Sequence, residues 1–435
     1  MFELDETLSA VEAAVRDFCK REVEPRIAEI ESGEVRSFDV LRGFAEAFGL
    51  REALGAPMQA RADRLRAGDP PRGTSPRERP GGLDSGDLGM ASVVTKELAR
   101  SSPGLALCLL SNLGAAATIG AKGDADLIER CALPLIAFEK VGCWALTEPD
   151  SGSDAFAMKT SARIEGDAVV LNGSKTFISN APEAEVLLIY ARLEDPGGDK
   201  GDKRRIFPVV VERGTPGLST GAPMKKLGMH ATPTGEVFLE DCRVPRSHLL
   251  GDPERPARDL AEQTLASERG VVVAMCLGVI ERCLEDSIAF AMDRRQFGKP
   301  IAAFQLIQQK LARMYVACEN VRNLMLKLIW LQRERKGSER EVSAAKWYAT
   351  EAAAEVALEA MQLMGGSGYM QEYAPERLFR DIKLWTIAAA AGDLLRRLLL
   401  RGPHVLAGVA GDHQVLLEAP VRLRLVLADR GLVLR

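Results

Sequence analysis

The feature that most limits how this chain can fold is a double change in its hydrophobic period. Apolar residues recur every three or four positions up to about Lys140, every second position from Val141 to Leu250, and every three or four again after Pro256. Leu8 to Ile30 and Met90 to Leu98 are therefore expected as helices. Ala168 to Leu171 and Lys175 to Ile178 are expected as strands flanking Asn172-Gly173, a dipeptide that signals a hairpin. Val186 to Tyr190, Ile206 to Val211 and Glu236 to Leu239 add further strands. Ala261 to Met292, Ile301 to Arg335, Glu341 to Met364 and Ile387 to Leu400 carry the last helical patterns. Helices, then strands, then helices define an α+β chain with a central sheet module. The expected boundaries are a helical region over 1–138, a β domain over 139–252 and a helical bundle over 253–402. Gln59 to Gly89, rich in Pro, Gly and Arg, is expected to be a mobile surface loop, with a lid over a substrate entrance as the functional alternative. The tail, 403–435, alternates Leu and Val with Arg and has no capping or turn logic that we can explain.

Composition narrows the function. Lysine and arginine total 57 against 61 acidic residues, a formal net charge of −4. No single-sign field draws such a chain to nucleic acid or to an anionic membrane, so neither is expected as a partner. The apolar run Leu105 to Ala121 is interrupted by Ser111, Asn112, Gly114, Thr118 and Gly120, and is expected to be a buried helix rather than a membrane span. Met1 to Thr7 is acidic and offers no signal-peptide pattern. The eight cysteines form no Cys-x-x-Cys pair, which suits buried thiols in a reducing cytoplasm. The four histidines lack metal-ligand spacing, and no Gly-x-Ser-x-Gly elbow is present.

The densest chemical signal is Cys143-Trp-Ala-Leu-Thr-Glu-Pro-Asp-Ser-Gly-Ser-Asp154. A strand ends near Thr147, Pro149 stops it, and Ser151-Gly152-Ser153 offers amides and hydroxyls that can hold a phosphate or the polar edge of a ring. Alone, this is equally an ordinary polar loop. Four more segments follow it in order. They are Lys175-Thr-Phe-Ile-Ser-Asn180; Lys226-Leu-Gly-Met229 with Val244-Pro245; Arg294-Arg-Gln-Phe-Gly-Lys-Pro300 with Phe304-Gln305; and Met364-Gly-Gly-Ser-Gly-Tyr369 with Glu372-Tyr373 and Arg380-Asp381.

Through this series, which covers roughly Leu4 to Arg401, the chain closely resembles the acyl-CoA dehydrogenase family. The resemblance implies a helical N-terminal domain, a middle β domain, a C-terminal four-helix bundle and usually a homotetramer. It also implies FAD as cofactor, an acyl thioester of coenzyme A or acyl-carrier protein as substrate, and an electron-transferring flavoprotein as acceptor. Trp144, Leu146 and Thr147 would meet the isoalloxazine edge, with Phe177 and Ser179 beside the ring. Arg294, Gln296, Phe297 and Phe304 would grip the adenosine diphosphate portion from a neighbouring subunit, with Gln362, Gly365 and Gly366 as the other half of that clamp. Ser153 would lie where the cofactor and the thioester meet, and Ser153 and Arg269 are the candidate substrate contacts.

Oxidising a thioester at its α,β bond needs a base for the α-proton while the β-hydrogen leaves as hydride. Many family members keep a Glu shortly after Arg-Asp-x-Lys, but here that position is Ala389 and the following Thr position is Ala391. Ser267-Glu268-Arg269-Gly270 instead resembles the arrangement of isovaleryl-CoA dehydrogenase, where the Glu lies on an earlier helix. Leu265, Val271 and Val272 lie three or four residues from Glu268, so its carboxyl projects from a largely apolar face, which raises its pKa and strengthens it as a base. The backbone N–H of Ala389 remains to polarise the thioester carbonyl, as the corresponding amide does in the family. Two alternatives stay open: a flavin-binding protein without dehydrogenase activity, and an oxidase or monooxygenase on the same flavin.

Overall fold

The computed structural model describes residues 3–68, 87–194, 205–253, 258–336 and 339–388. The tail and all but the first two residues of the Ile387–Leu400 segment therefore lie outside the described residues.

The N-terminal region is helical. Asp5 caps α1 (Glu6–Phe18) by accepting from Leu8 N at 2.9 Å. The helix expected to run on to Ile30 is broken. The chain widens at Cys19–Val23, tightens at Glu24–Arg26 and restarts as α2 (Ile27–Ser32). Pro25 explains the break, because it lacks an N–H and crowds the preceding turn. After α3 (Ser37–Ala47) comes α4 (Ala56–Arg66), which corrects the loop expected from Gln59 onward. Met58, Ala62 and Leu65 pack on Ala125, Ile128 and Leu133, and Arg66 pairs with Glu129, so this stretch has enough contacts to stay helical. The rest of that loop, 69–86, is outside the described residues.

Helices α5 (Leu88–Ser101) and α6 (Pro103–Lys122) follow. By length and apolarity α6 could cross a membrane, but most of it is buried within the protein, as expected. The side-chain amide of Asn112 donates to Leu135 O at 2.6 Å and fixes the approach to the sheet. Two short helices, α7 (Ala125–Leu127) and α8 (Leu133–Ile136), complete the region.

The sheet has β1 (Gly142–Ala145), β2 (Ser161–Glu165), β3 (Ala168–Ser179), β4 (Val186–Leu193), β5 (Ile206–Glu212), β6 (Leu218–Thr220) and β7 (Thr234–Pro245). Their order is β1-β4-β2-β3-β7-β6, with β5 against β4; β1 and β2 run parallel to β4 and the other pairs are antiparallel. Strand β4 is buried on both faces. Leu187 and Ile189 enter the main core, while Val186, Leu188 and Tyr190 enter a second cluster with Leu135 and Phe156. That is why β4 reads as a continuous apolar run.

The hairpin expected at Asn172-Gly173 is not there. Strand β3 runs straight through, and the turn lies earlier, between β2 and β3 at Gly166, whose φ is +59°. Asn172-Gly173 instead forms a bulge against β7, with the side chains of Asn172 and Asp241 hydrogen-bonded at 3.0 Å. Glycine is needed because a Cβ at residue 173 would lie 2.7 Å from Thr160 Cα, and its φ of +145° excludes other residues.

The C-terminal region opens with α9 (Arg258–Asp293), whose segment from Val271 to Ile280 is almost entirely buried. That segment packs along α5 and the helices that follow, so it lacks a polar face. A small hairpin, β8 (Arg295–Gln296) and β9 (Lys299–Pro300), leads to α10 (Gln305–Arg333), α11 (Glu339–Met364) and α12 (Ala374–Ile387). Sequence periodicity missed α12, although Leu378, Ile382 and Trp385 are buried at helical spacing. The Lys226–Met229 segment docks on α12. Gly228 lies so close that a Cβ would be 2.5 Å from the Arg380 carbonyl carbon, and buried Asp381 accepts from Met229 N.

Candidate active site

The expected site residues fall into three groups. The first surrounds the end of β1. Trp144 stacks edge-on against Tyr190 at 5.4 Å, and its buried indole N–H has no partner among the described residues. Leu146 is buried and its carbonyl accepts from Lys175 Nζ at 2.9 Å. Thr147 is half-buried; its carbonyl accepts from Thr176 N at 3.0 Å, while its own N–H meets no acceptor among the described residues. Phe177 protrudes from a second bulge of β3, 69% exposed, at a φ of +58° that a Phe rarely adopts. Ser179 is half-buried opposite Thr234, and Ser153 is exposed on the loop.

Two residues without a role assigned from sequence hold this group together. Lys175 is fully buried and also donates to Glu148 Oε1 at 2.8 Å. Glu148 accepts as well from the amides of Lys159 at 2.5 Å and Thr160 at 2.9 Å. Burial opposes the charge on Glu148, but Lys175 and these donors hold its carboxyl below the usual range. Burial pulls Lys175 down to about 8 despite Glu148.

The second group is on α9 and α11. Glu268 is half-buried, and the protein packed around it pushes its carboxyl above the usual range, against the opposing pull of Arg269 and Lys346. Arg269 is buried and paired with Glu339 on α11 at 3.2 Å. Lys346, also buried and unremarked in the sequence, donates to Trp385 O at 2.8 Å and Ala388 O at 2.6 Å. It sits on the inner stripe of α11 with Val342, Ala349 and Ala353, and a charge in such a stripe was the available signal. Ala389 lies outside the described residues.

The third group is at the far end of α9. Phe297 and Gly298, at φ of +52° and +80°, form a two-residue turn between β8 and β9, so Phe297 stands 92% exposed at its tip, edge-on to half-buried Phe304 at 6.0 Å. Arg294 and Gln296 are exposed, and Arg294 has no ion pair among the described residues. A small apolar cluster of Ala291, Leu363, Met364 and Ile301 joins this region to the end of α11, where Gln362 and Gly365-Gly366 are exposed. A Cβ on either glycine would meet nothing within 4 Å.

These features fit FAD. The unpartnered Trp144 and Thr147 N–H groups and the protruding Phe177 suit a flat ring with a polar edge. The open glycine backbone and unpaired Arg294 suit a pyrophosphate.

Comparison with known proteins agrees. Residues 143–242 match the family description "Acyl-CoA dehydrogenase, middle domain", and 258–402 match "Acyl-CoA dehydrogenase, C-terminal domain". The chain is 32% identical to the probable acyl-CoA dehydrogenase YngJ of Bacillus subtilis, over 92% of this chain and 98% of that one. It is 38% identical to the glutaryl-CoA dehydrogenase of Desulfococcus multivorans, over 73% and 81% respectively. Among solved structures, it matches a glutaryl-coenzyme A dehydrogenase–glutaryl-CoA complex with a TM-score of 0.79 and 32% identity, over 94% of this chain and 97% of that one. The chain belongs to the acyl-CoA dehydrogenase family. As such it is an oxidoreductase acting on CH–CH groups, and acyl-CoA dehydrogenation with FAD is its reaction.

Proposed function

We propose that Glu268 is the base of this acyl-CoA dehydrogenase. The observation that carries the reading is a carboxyl on α9 whose proton affinity is raised by burial, in a chain where the position of the later Glu of many family members is Ala389. Glu268 takes the α-proton of the bound thioester, and Arg269 and Lys346 stabilise the carboxylate between turnovers. FAD, when bound, supplies the acceptor for the β-hydride. The amide of Ala389 polarises the thioester carbonyl, and Ser153 contacts the substrate.

Trp144, Leu146, Thr147, Phe177 and Ser179 hold the ring. Arg294, Gln296, Phe297, Phe304, Gln362, Gly365 and Gly366 hold the diphosphate of a flavin in another subunit. One helix supports this division. Glu268 and Arg294 are separated by 26 residues along and just past α9, which at 1.5 Å per residue is about 39 Å. A single dinucleotide cannot bridge that span, so the clamp needs a second copy and the active form is an oligomer, a tetramer by resemblance. The acceptor is an electron-transferring flavoprotein. The eight free, buried thiols suit a reducing cytoplasm.

The test is anaerobic bleaching of bound FAD by acyl-CoA thioesters, with acyl-carrier-protein thioesters alongside. Glu268→Gln keeps size and hydrogen bonding but cannot accept the proton, so FAD stays bound while single-turnover reduction slows about 10²–10⁴-fold. Reduction at the wild-type rate would remove Glu268 from the chemistry.

A further inference from the structure

Three consecutive residues of β3 act on the end of β1. Lys175 donates to Leu146 O at 2.9 Å, Thr176 N donates to Thr147 O at 3.0 Å, and Phe177 protrudes beside them. The peptide between Leu146 and Thr147 is therefore held on its carbonyl side by a buried ammonium, while its N–H side is free among the described residues. A trans peptide is planar, with C=O and N–H pointing in opposite directions, so fixing one fixes the other. A cation on the oxygen also polarises the unit and makes its N–H a stronger donor.

We propose that Lys175 is a positioning residue for the flavin: its ammonium orients and polarises the Leu146–Thr147 peptide so that the Thr147 N–H donates to the polar edge of the ring and favours its reduced form. The inference rests on the FAD reading above and assigns the cation that tunes it. A strut alone would not need a charge. Taking an ammonium out of water costs several kcal/mol even after relaxation, and a neutral donor could tie the same carbonyl. Glu148 offsets part of that cost and is in turn fixed by the amides of Lys159 and Thr160, so the pair is a built, rigid element. Among the described residues, Glu148 is the one ionisable group that acts on Lys175.

Lys175→Met alone would leave Glu148 buried and unpaired, so the variant to make is Lys175→Met with Glu148→Gln. With FAD content and thermal melting checked, the double variant should hold about tenfold less reduced flavin at equilibrium with a reference dye, about 30 mV for a two-electron couple. A ratio equal to wild type with FAD bound would overturn the proposal and leave Lys175 a strut. The unaltered enzyme provides a second measurement should the variant fail to fold. Burial pulls Lys175 down to about 8, so the pH dependence of the wild-type flavin potential should bend where Lys175 loses its proton. An unbroken course through that pH would overturn the proposal equally. A wild-type protein that takes up no FAD would instead refute the cofactor reading itself.

Discussion

The two ends of α9 are opposites. At one end Glu268 is half-buried, flanked by buried Arg269, which is paired with Glu339, and by buried Lys346, which is held by the carbonyls of Trp385 and Ala388. At the other, Arg294 is exposed without an ion pair among the described residues, and Phe297 stands 92% exposed in a left-handed turn. The first end is finished within one protomer. The second displays an aromatic and an arginine at a cost in strain and surface apolarity, which the proposed partner subunit would repay. On the proposed reading one helix serves two different flavins, and the difference separates chemistry from cofactor retention.

That comparison can be broken from either side. After the loss expected of Glu268→Gln, the next largest effect is expected at the exposed end. If Arg294 is the proposed charged donor to the pyrophosphate, Arg294→Ala should lower FAD affinity about ten- to hundredfold. The rate of flavin reduction at saturating FAD should stay close to wild type. Normal flavin retention after gel filtration would remove Arg294 from the clamp.

A smaller, more specific effect is expected at the buried end. Reduction should quicken as pH rises and Glu268 loses its proton, with a midpoint above the ordinary carboxylate range because burial raises its pKa. Arg269 and Lys346 are the two cations that oppose that rise. Lys346→Met removes one of them, so the midpoint should move to still higher pH, whereas Lys346→Arg should leave it near wild type. A profile unmoved by Lys346→Met would mean that Lys346 acts only as a strut for α12.

Much of this was legible in the sequence, for identifiable reasons. The change of hydrophobic period gave the order of helices and strands, because burial on one face leaves its spacing in the chain. Glu268 could be found as the candidate base from the Ser267–Gly270 resemblance and the absence of an acid at Ala389, with apolar neighbours at Leu265, Val271 and Val272 marking its helical face. Asn172-Gly173 misled because the same dipeptide serves a tight turn and a bulge, and only the approach of Thr160 decides between them. The helix at Gln59–Arg66 was hidden because its support comes from Glu129 and Ile128, far along the chain. Lys175 and Lys346 escaped for the same reason. Apart from Glu148, which pairs with Lys175, their partners are main-chain carbonyls of Leu146, Trp385 and Ala388, which have no sequence signature.

The central claim is that α9 gives its base to one flavin and its clamp to another, and mixed oligomers test it most directly. Glu268→Gln and Arg294→Ala subunits, each carrying a different tag, would be co-expressed and the mixed species purified and assayed with acyl-CoA without added FAD. Each parent alone lacks either the base or the clamp at every site. In a mixed oligomer, an intact Glu268 on one subunit meets an intact Arg294 from the other, so activity should rise well above that of both parents. Purified mixed oligomers no more active than the average of the parents would contradict the account, because base and clamp would then have to serve the same flavin within one chain.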